Sequence, residues 1–334
     1  MNGNLSKTRM KRILALAILA TMFVGCDQEN GTETTPADKS FVPTGVYFNY
    51  GDNDTRTSVS VDGKASLFLW NTGDQIGVSC AESGVTNKAA AVEEQYNNQN
   101  QATFMTRIEF NDKYTDHIFN LYYPYKASSS TYPVNITSVR HTLAAIQSGV
   151  VGKHDFMWDQ VKTTKENPTA GGTMKHPFAY IRFYIVDIDG YLGNIGAEEV
   201  SSLTMDADGT LAGDFTADFN NFAKNQVTFA GSTSNSVTLN APLKIYSLNE
   251  YKNKTIDGQY PVMVINPNGV GNSFDATIQI PGMAPMSTTF DMGTRKFEAN
   301  NFYNIGLGGD FDFGGKFTLS VIDWERVTLD VTFN

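Results

Sequence analysis

From Phe41 onward the chain is a succession of short runs rich in Val, Ile, Thr, Phe and Tyr, separated by turn residues. Apolar and polar residues alternate along residues 42–50, 58–69, 181–188, 200–205 and 277–280. A two-residue period puts neighbouring side chains on opposite faces of a β-strand. Many short strands without intervening helical patterns predict an all-β chain of antiparallel sandwiches rather than an α/β fold.

Pairs of Asp or Asn with Gly mark candidate hairpins, because Asp and Asn tolerate a positive φ and Gly adopts it freely. The pairs are Asp62-Gly63, Asp189-Gly190, Asp208-Gly209, Asp257-Gly258 and Asn268-Gly269. Two of them end acidic turns, DIDG and DADG, in which the glycine comes fourth rather than sixth as in a calcium-binding EF-hand loop. Hairpins are therefore favoured over calcium sites. Residues 88–96 predict a turn or two of helix in an insertion loop.

The N-terminus has the pattern of an export signal. Four cations within residues 7–12 precede an apolar run over residues 13–24, and Gly25 and Cys26 follow. This pattern predicts a signal peptide over residues 1–25, and the apolar run is too short to span a bilayer. A cysteine directly after the small residue resembles a bacterial lipobox, which implies cleavage before Cys26 and its acylation. An ordinary secreted protein with a chance cysteine is the alternative.

Beyond the signal, the polar residues 26–40 predict a flexible tether. Loss of the signal's four cations takes the formal charge from −10 to −14, which disfavours nucleic acid as a partner. With Cys26 acylated, Cys80 remains alone and cannot form an internal disulfide. We therefore expect stability to come from a buried core that includes Cys80.

The remaining 309 residues suffice for two domains. The best boundary is the segment 163–175, which lacks apolar periodicity and contains Pro168 and paired glycines. The sequence thus predicts β-sandwich domains over residues 41–170 and 175–334.

The sequence lacks the signatures of the common enzyme classes. No GxSxG, HExxH, P-loop or GxGxxG motif occurs. The four histidines (His117, His141, His154 and His176) have no neighbours at metal-ligand spacing, and adjacent residues such as His154 and Asp155 point to opposite faces of a strand. We expect no catalytic residues, no metal site and no cofactor.

A series of short motifs runs through the chain in a fixed order. They are Trp70-x-x-Gly73-Asp74-x-Ile76-Gly77-Val78, Tyr123-Pro124-Tyr125, His141-Thr-Leu-Ala-Ala-Ile-Gln147, Asp155-Phe156-Met157, His176-Pro-Phe-Ala-Tyr-Ile-Arg-Phe183, Phe302-Tyr-Asn-Ile-Gly-Leu307 and Trp324. Behind a lipobox, this series resembles the fimbrillin family, the Mfa-like and FimA-like type V pilin subunits of Bacteroidetes.

The resemblance implies two tandem transthyretin-like antiparallel β-sandwich domains and a pilus subunit involved in adhesion. It also implies an outer-membrane lipoprotein precursor, anchored through lipid on Cys26, that loses its first strand to a protease and joins the fimbrium by β-strand addition. The expected partners are other pilin subunits, with host glycans or proteins as further candidates.

Two segments fit this process. The first strand puts Val42, Val46, Phe48 and Tyr50 on one face. Arg56, the first arginine after the signal, follows in a polar loop suited to proteolysis. Cleavage there would remove lipid, tether and first strand together, whereas cleavage at Lys39 would leave the strand in place. A surface arginine without any processing role is the alternative.

The C-terminal segment alternates cleanly. Its apolar face consists of Val327, Leu329, Val331 and Phe333. Such a strand could be donated to the groove of a neighbouring subunit, or it could be the last strand of its own sandwich. The preceding residues 317–322 could serve either role.

A glycan-binding surface lipoprotein of a polysaccharide-uptake system is the alternative function. It requires exposed coplanar aromatic side chains, for which Tyr122, Tyr123 and Trp158 are candidates, with Tyr125 close by. Strands also favour aromatic residues in their cores, so burial of these rings is the competing interpretation.

Overall fold

The computed structural model describes residues 44–50, 58–62, 65–96, 102–253, 261–311 and 317–328. For residues 44, 58–62, 65–69, 310–311, 317–318, 322, 324 and 326–328 it describes the backbone alone. The predicted signal peptide and tether with Cys26 lie outside the described residues, as do Val42, Arg56, Leu329, Val331 and Phe333.

Strands account for nearly all regular structure of the described residues, which confirms the all-β prediction. The first twelve are β1 (Thr44–Tyr50), β2 (Ser58–Asp62), β3 (Ala65–Leu69), β4 (Gln75–Cys80), β5 (Val85–Val92), β6 (Ala102–Ile108), β7 (His117–Tyr123), β8 (Val134–Asn135), β9 (Ser138–Leu143), β10 (Ile146–Gln147), β11 (Met157–Thr163) and β12 (Thr169–Gly172). The second twelve are β13 (Ala179–Asp187), β14 (Glu199–Val200), β15 (Ser202–Ala207), β16 (Ala212–Asp218), β17 (Thr228–Ser234), β18 (Ser236–Leu239), β19 (Leu243–Ser247), β20 (Met263–Ile265), β21 (Ser273–Gln279), β22 (Met286–Asp291), β23 (Asn301–Phe311) and β24 (Phe317–Thr328).

The helices in the described part of the chain are short. They are α1 (Tyr191–Asn194), α2 (Leu248–Lys252) and 3₁₀ turns at Glu94–Tyr96, Val151–Lys153, Phe219–Lys224 and Pro267–Gly269. Within the described ranges, none has the length and apolar character needed to cross a membrane.

The strands of the described residues form five sheets. Their orders are β11-β7-β4-β5-β6-β1-β12, β10-β18-β15-β21-β22, β14-β19-β13-β23-β24 with β20 beside β13, β17-β16-β9-β8, and the hairpin β2-β3. Four of the described strand pairs are parallel, namely β1 with β12, β10 with β18, β13 with β19 and β13 with β23. The other strand pairs of the described residues are antiparallel, as the sequence predicts, so the sheets are mixed and mainly antiparallel.

The strand β13 explains part of the parallel pairing. All nine of its residues are buried, so the alternation predicted over residues 181–188 does not produce a solvent-facing side. Strands buried on both faces are typical of parallel pairing, because other elements must cover both sides of the sheet.

Buried apolar residues form two large clusters. The first is built mainly from residues 46–123 and the second mainly from residues 134–319. The strands β7 and β11 contribute to both, since Tyr123 and Met157 belong to the first cluster while Tyr122 and Trp158 belong to the second. Successive side chains on a strand point to opposite faces, so these two strands separate the clusters.

Strands from the predicted first domain also pair with strands from the predicted second. The strand β9 pairs with β16, and β10 pairs with β18. The chain thus contributes to the later sheets before it completes β11 and β12. The division into residues 41–170 and 175–334 stays a prediction.

The Asp-Gly and Asn-Gly pairs serve several kinds of turn. The hairpin predicted at Asp62 is confirmed, since Asp62 ends β2 and pairs with Ala65 at the start of β3, while Gly63 lies outside the described residues. Asp189-Gly190 instead leads into α1, Asp208-Gly209 joins strands of different sheets, and Asn268-Gly269 lies in a 3₁₀ turn. These three hairpin predictions were wrong, because such pairs supply backbone freedom to any turn. Asp257-Gly258 lies outside the described residues.

The predicted helix over residues 88–96 is mostly strand. Residues 85–92 form β5, which pairs with β4 and β6, and only Glu94–Tyr96 form a 3₁₀ turn. Backbone bonds to two neighbouring strands outweigh the helix propensity of the alanines in this segment. By contrast, the turn predicted after Trp70 is confirmed, with Asp74 N donating to Asn71 O over 3.0 Å and Gly73 at φ 96°.

Candidate assembly interface

The first strand is an interior member of its sheet. It pairs antiparallel with β6 from Thr44↔Ile108 to Tyr50↔Ala102, and parallel with β12 from Tyr47↔Thr169 to Tyr50↔Gly172. Two different strands thus hydrogen-bond to its two edges. Removal of β1 would leave the facing edges of β6 and β12 unpaired.

The inward side chains of β1 fill the first core. Val46, Phe48 and Tyr50 are fully buried or nearly so, while Tyr47 is exposed on the opposite face. The ring of Phe48 meets that of Phe119 edge-on, with the ring centroids 5.5 Å apart. The predicted apolar face is therefore buried wherever the structure describes it.

Tyr50 also makes a polar contact inside this core. Its hydroxyl donates to Asp159 Oδ2 over 3.2 Å. Burial, followed by the negative charge of Asp159, raises the pKa of Tyr50 well above its ordinary value. Tyr50 therefore stays protonated and keeps its role as a donor.

The strand β12 occupies the segment 163–175 that the sequence predicts as a linker. A side chain at Gly171 would place Cβ 2.8 Å from Asn49 O, and one at Gly172 would place Cβ 2.5 Å from Asp159 Oδ2. Both glycines therefore allow the backbone to approach its neighbours closely. Paired glycines in a strand can mark such an approach, a signal that the linker interpretation passed over.

The C-terminal segment begins within a regular edge strand. Residues 317–322 and Val327 belong to the same strand, β24. This strand pairs with β23 at the edge of its sheet, where Phe302 lies opposite Val327. Leu319 is buried in the second core. Residues up to Thr328 thus belong to this protein's own sheet, and donation by the residues that follow stays a prediction.

The aromatic platform of the alternative function is absent at the candidate residues. Tyr122, Tyr123 and Trp158 are buried, and Trp158 Nε1 donates to Asn225 Oδ1 over 2.9 Å. Burial raises the pKa of Tyr122 to about 12. Tyr125 packs partly buried against the second core. The rings of Tyr122, Tyr123 and Trp158 are core residues and cannot stack on a sugar.

Asp155 pairs with a histidine, but not with its neighbour His154. Asp155 Oδ1 lies 3.0 Å from His176 Nδ1, and the Tyr180 hydroxyl donates to the same carboxylate. All three side chains are buried, so a substrate cannot reach them.

Across the described ranges, no group of three His, Cys, Asp or Glu residues could hold a metal ion. Cys80 is buried in the first core, as predicted.

A family model described as fimbrillin-like matches residues 55–324. Among solved structures, a candidate cell adhesion protein from Bacteroides uniformis superposes with a TM-score of 0.53 at 14% identity, over 87% of this chain and 100% of that one. One from Bacteroides ovatus gives a TM-score of 0.51 at 12% identity, over 88% and 100% of the chains. At these identities the structures show a shared fold. No curated protein matches the sequence.

Proposed function

Because the chain belongs to the fimbrillin-like family, we propose that it is a pilus subunit made as a lipoprotein precursor and activated by proteolytic loss of its first strand. The activated subunit then polymerises by strand exchange, and the resulting fimbrium mediates adhesion. The observation that carries the proposal is the position of β1, which is paired on both edges and fills the core with Val46, Phe48 and Tyr50.

The loss of β1 would leave a groove that favours a replacement strand. Seven residues of β6 and four of β12 lose their pairing partner. A buried backbone group left without a hydrogen bond costs about 1–3 kcal/mol, and the vacated apolar pockets add to this cost. An incoming strand with alternating apolar residues relieves both penalties.

Arg56 is the proposed cleavage site. It follows the last residue of β1 by six positions, so a cut there separates β1 from the rest of the chain. Lipid on Cys26 would hold the precursor at the outer membrane until this cut releases it to the fimbrium. The proposed donor is the C-terminal segment with Leu329, Val331 and Phe333, which continues from Val327 at the end of β24.

Treatment of the purified precursor with an arginine-specific protease tests the proposal. We expect a single early cut after Arg56, followed by oligomers that resist SDS and appear as a ladder on gels. Arg56→Ala should prevent both events. Arg107→Ala is the matched control, because Arg107 lies inside β6 and should not be the early site.

Cleavage after Arg56 without oligomers would contradict polymerisation, and oligomers from the Arg56→Ala variant would contradict the role of the cut. Two further variants test the donor segment and the lipid anchor. Deletion of residues 329–334 should leave cleavage intact and abolish the ladder. Cys26→Ala should abolish incorporation of labelled palmitate in cells.

A further inference from the structure

A groove of about 660 Å³ lies at one end of the six-stranded sheet, away from β1. Its floor is the point where the parallel strands β13 and β19 end together, with Asp187 beside Ser247. Gly193 of α1 and Glu250 of α2 line its sides. The volume is that of a small-ligand site and leaves ample room for one large side chain.

Carboxylates dominate the lining. They are Asp187, Glu198, Glu199 and Glu250, against the single cation Lys244 among the described residues of the lining. Lys244 Nζ lies 3.3 Å from Glu250 Oε1, and both side chains are largely exposed. Hydrogen bonds from the backbone and hydroxyl of Ser247 lower the pKa of Glu250, so this carboxylate is charged at neutral pH. The groove therefore attracts cations.

Asp187 gives a second and independent indication of a ligand. Its exposed fraction is only 6%, and its Oδ2 accepts a hydrogen bond from Gly193 N over 2.9 Å. Its Oδ1 is buried and has no hydrogen-bond partner among the described residues. A buried carboxylate oxygen without a donor is costly, so the position favours a ligand that supplies one.

The chemistry of the ligand follows from the arrangement of the carboxylates. Although the lining is acidic, no three carboxylates in the described part of the chain converge closely enough to hold a metal ion. A guanidinium group suits separated carboxylates better, because its five N–H donors spread over a plane and bind carboxylates in a bidentate manner.

We propose that this groove binds an arginine side chain presented by another polypeptide. Asp187 Oδ1 accepts one guanidinium N–H at the floor, and the exposed Glu198 and Glu199 attract the side chain at the rim. A partner with a basic surface fits the formal charge of −10 on this protein. The site is separate from strand exchange at β1, so it is testable without assembly.

Titration calorimetry on the full chain tests the site with the capped tripeptide Gly-Arg-Gly. The matched probe carries citrulline, which has nearly the same shape and no charge. We expect the arginine peptide to bind at least about tenfold more tightly, and its affinity to fall as salt is added. Equal affinity for both peptides, or no binding of either, would overturn the proposal.

Two variants locate the contact. Asp187→Asn keeps an oxygen for Gly193 N and removes the charge, so we expect affinity to fall by at least about tenfold. Glu199→Gln at the rim should weaken binding about threefold. Glu94→Gln, an exposed change in a 3₁₀ turn of the first half, is the control and should bind as the unmodified chain does.

Unchanged affinity in the Asp187→Asn variant would overturn the assignment. If that variant does not fold, the double variant Glu198→Gln/Glu199→Gln tests the site instead. Both side chains are exposed, so their substitution should not disturb the fold. Unaltered binding by a folded double variant would contradict the site. Dimers of this chain in sedimentation, with one copy occupying the groove of the other, would contradict a basic partner of another kind.

Discussion

Tyr50 and Asp159 are 109 residues apart in sequence, and the hydroxyl of one donates to the carboxylate of the other within the first core. Tyr50 ends β1 near one edge of the seven-stranded sheet, and Asp159 lies on β11 at the opposite edge. The sheet therefore curls until its two edges approach each other. The first strand is held by this contact as well as by its two neighbours.

We predict that Tyr50→Phe lowers the free energy of unfolding of the precursor by about 1.5–3 kcal/mol, because it removes a buried hydrogen bond to a charged group. Urea unfolding measures the change. Tyr47→Phe is the control, since Tyr47 is 39% exposed, and it should change stability by less than about 0.5 kcal/mol. Equal effects of the two substitutions would contradict the contact.

Phe48→Ala tests whether β1 acts only in the precursor. Phe48 is fully buried, so its truncation should destabilise the precursor by about 3–5 kcal/mol. Once β1 is removed, the variant and the unmodified chain are the same molecule, and their polymers should dissociate in SDS at the same temperature. Tyr47→Ala should affect neither form strongly. A difference between the two polymers would show that β1 remains in them.

Gly171→Ala should weaken the pairing of β12 with β1. The added methyl group meets Asn49 O at 2.8 Å, so β1 or β12 must shift, at a cost of about 1–3 kcal/mol. We expect faster release of the first strand after cleavage, measured by gel filtration of the cut protein. Thr169→Ala, an exposed change on the same strand, should release it at the unmodified rate.

His141 should make stability depend on pH. Its ring packs against those of Phe156 and Phe215, and burial followed by the charge of Lys126 lowers its pKa to about 4. Between pH 6.5 and 4, His141 binds a proton in the unfolded chain but not in the folded chain. The free energy of unfolding that His141 contributes above pH 6.5 is therefore lost as the pH falls toward 4.

His141→Asn removes this titration while keeping an acceptor for Thr142 N. We expect the slope of stability against pH in this window to fall by up to about 1.4 kcal/mol per pH unit. Thermal unfolding at several pH values measures it. Thr169→Ala, which changes no titratable group, should keep the original slope, and an unchanged slope in His141→Asn would contradict the assignment.

Local patterns predicted the parts of the fold that depend on local chemistry. The all-β class, the buried face of β1 and the turn after Trp70 follow from side-chain period and from the φ that Gly73 supplies. The partners of each strand depend on residues far apart in sequence. Nothing in residues 42–50 indicates that β12 lies beside them, and the polar composition of 163–175 pointed to a linker instead.

The candidate site shows the same division. Val46, Phe48 and Tyr50 could be predicted from alternation, whereas Asp159 could not, because a single acidic residue on a strand carries no sign of its distant partner. Asp187 opens the DIDG turn, for which the sequence predicts a hairpin. Only the ends of β13 and β19, brought together in one sheet, reveal its place in an acidic groove.

The mixed pairing of β1 fixes the direction in which a strand must run at this position in the sheet. Its neighbour β6 runs opposite to it and β12 runs the same way, and parallel and antiparallel ladders space their hydrogen bonds differently. A strand entering in reverse would be parallel to β6 and antiparallel to β12, so it would match neither ladder. A filament built through this position would therefore be polar, with every subunit pointing the same way and two chemically distinct ends.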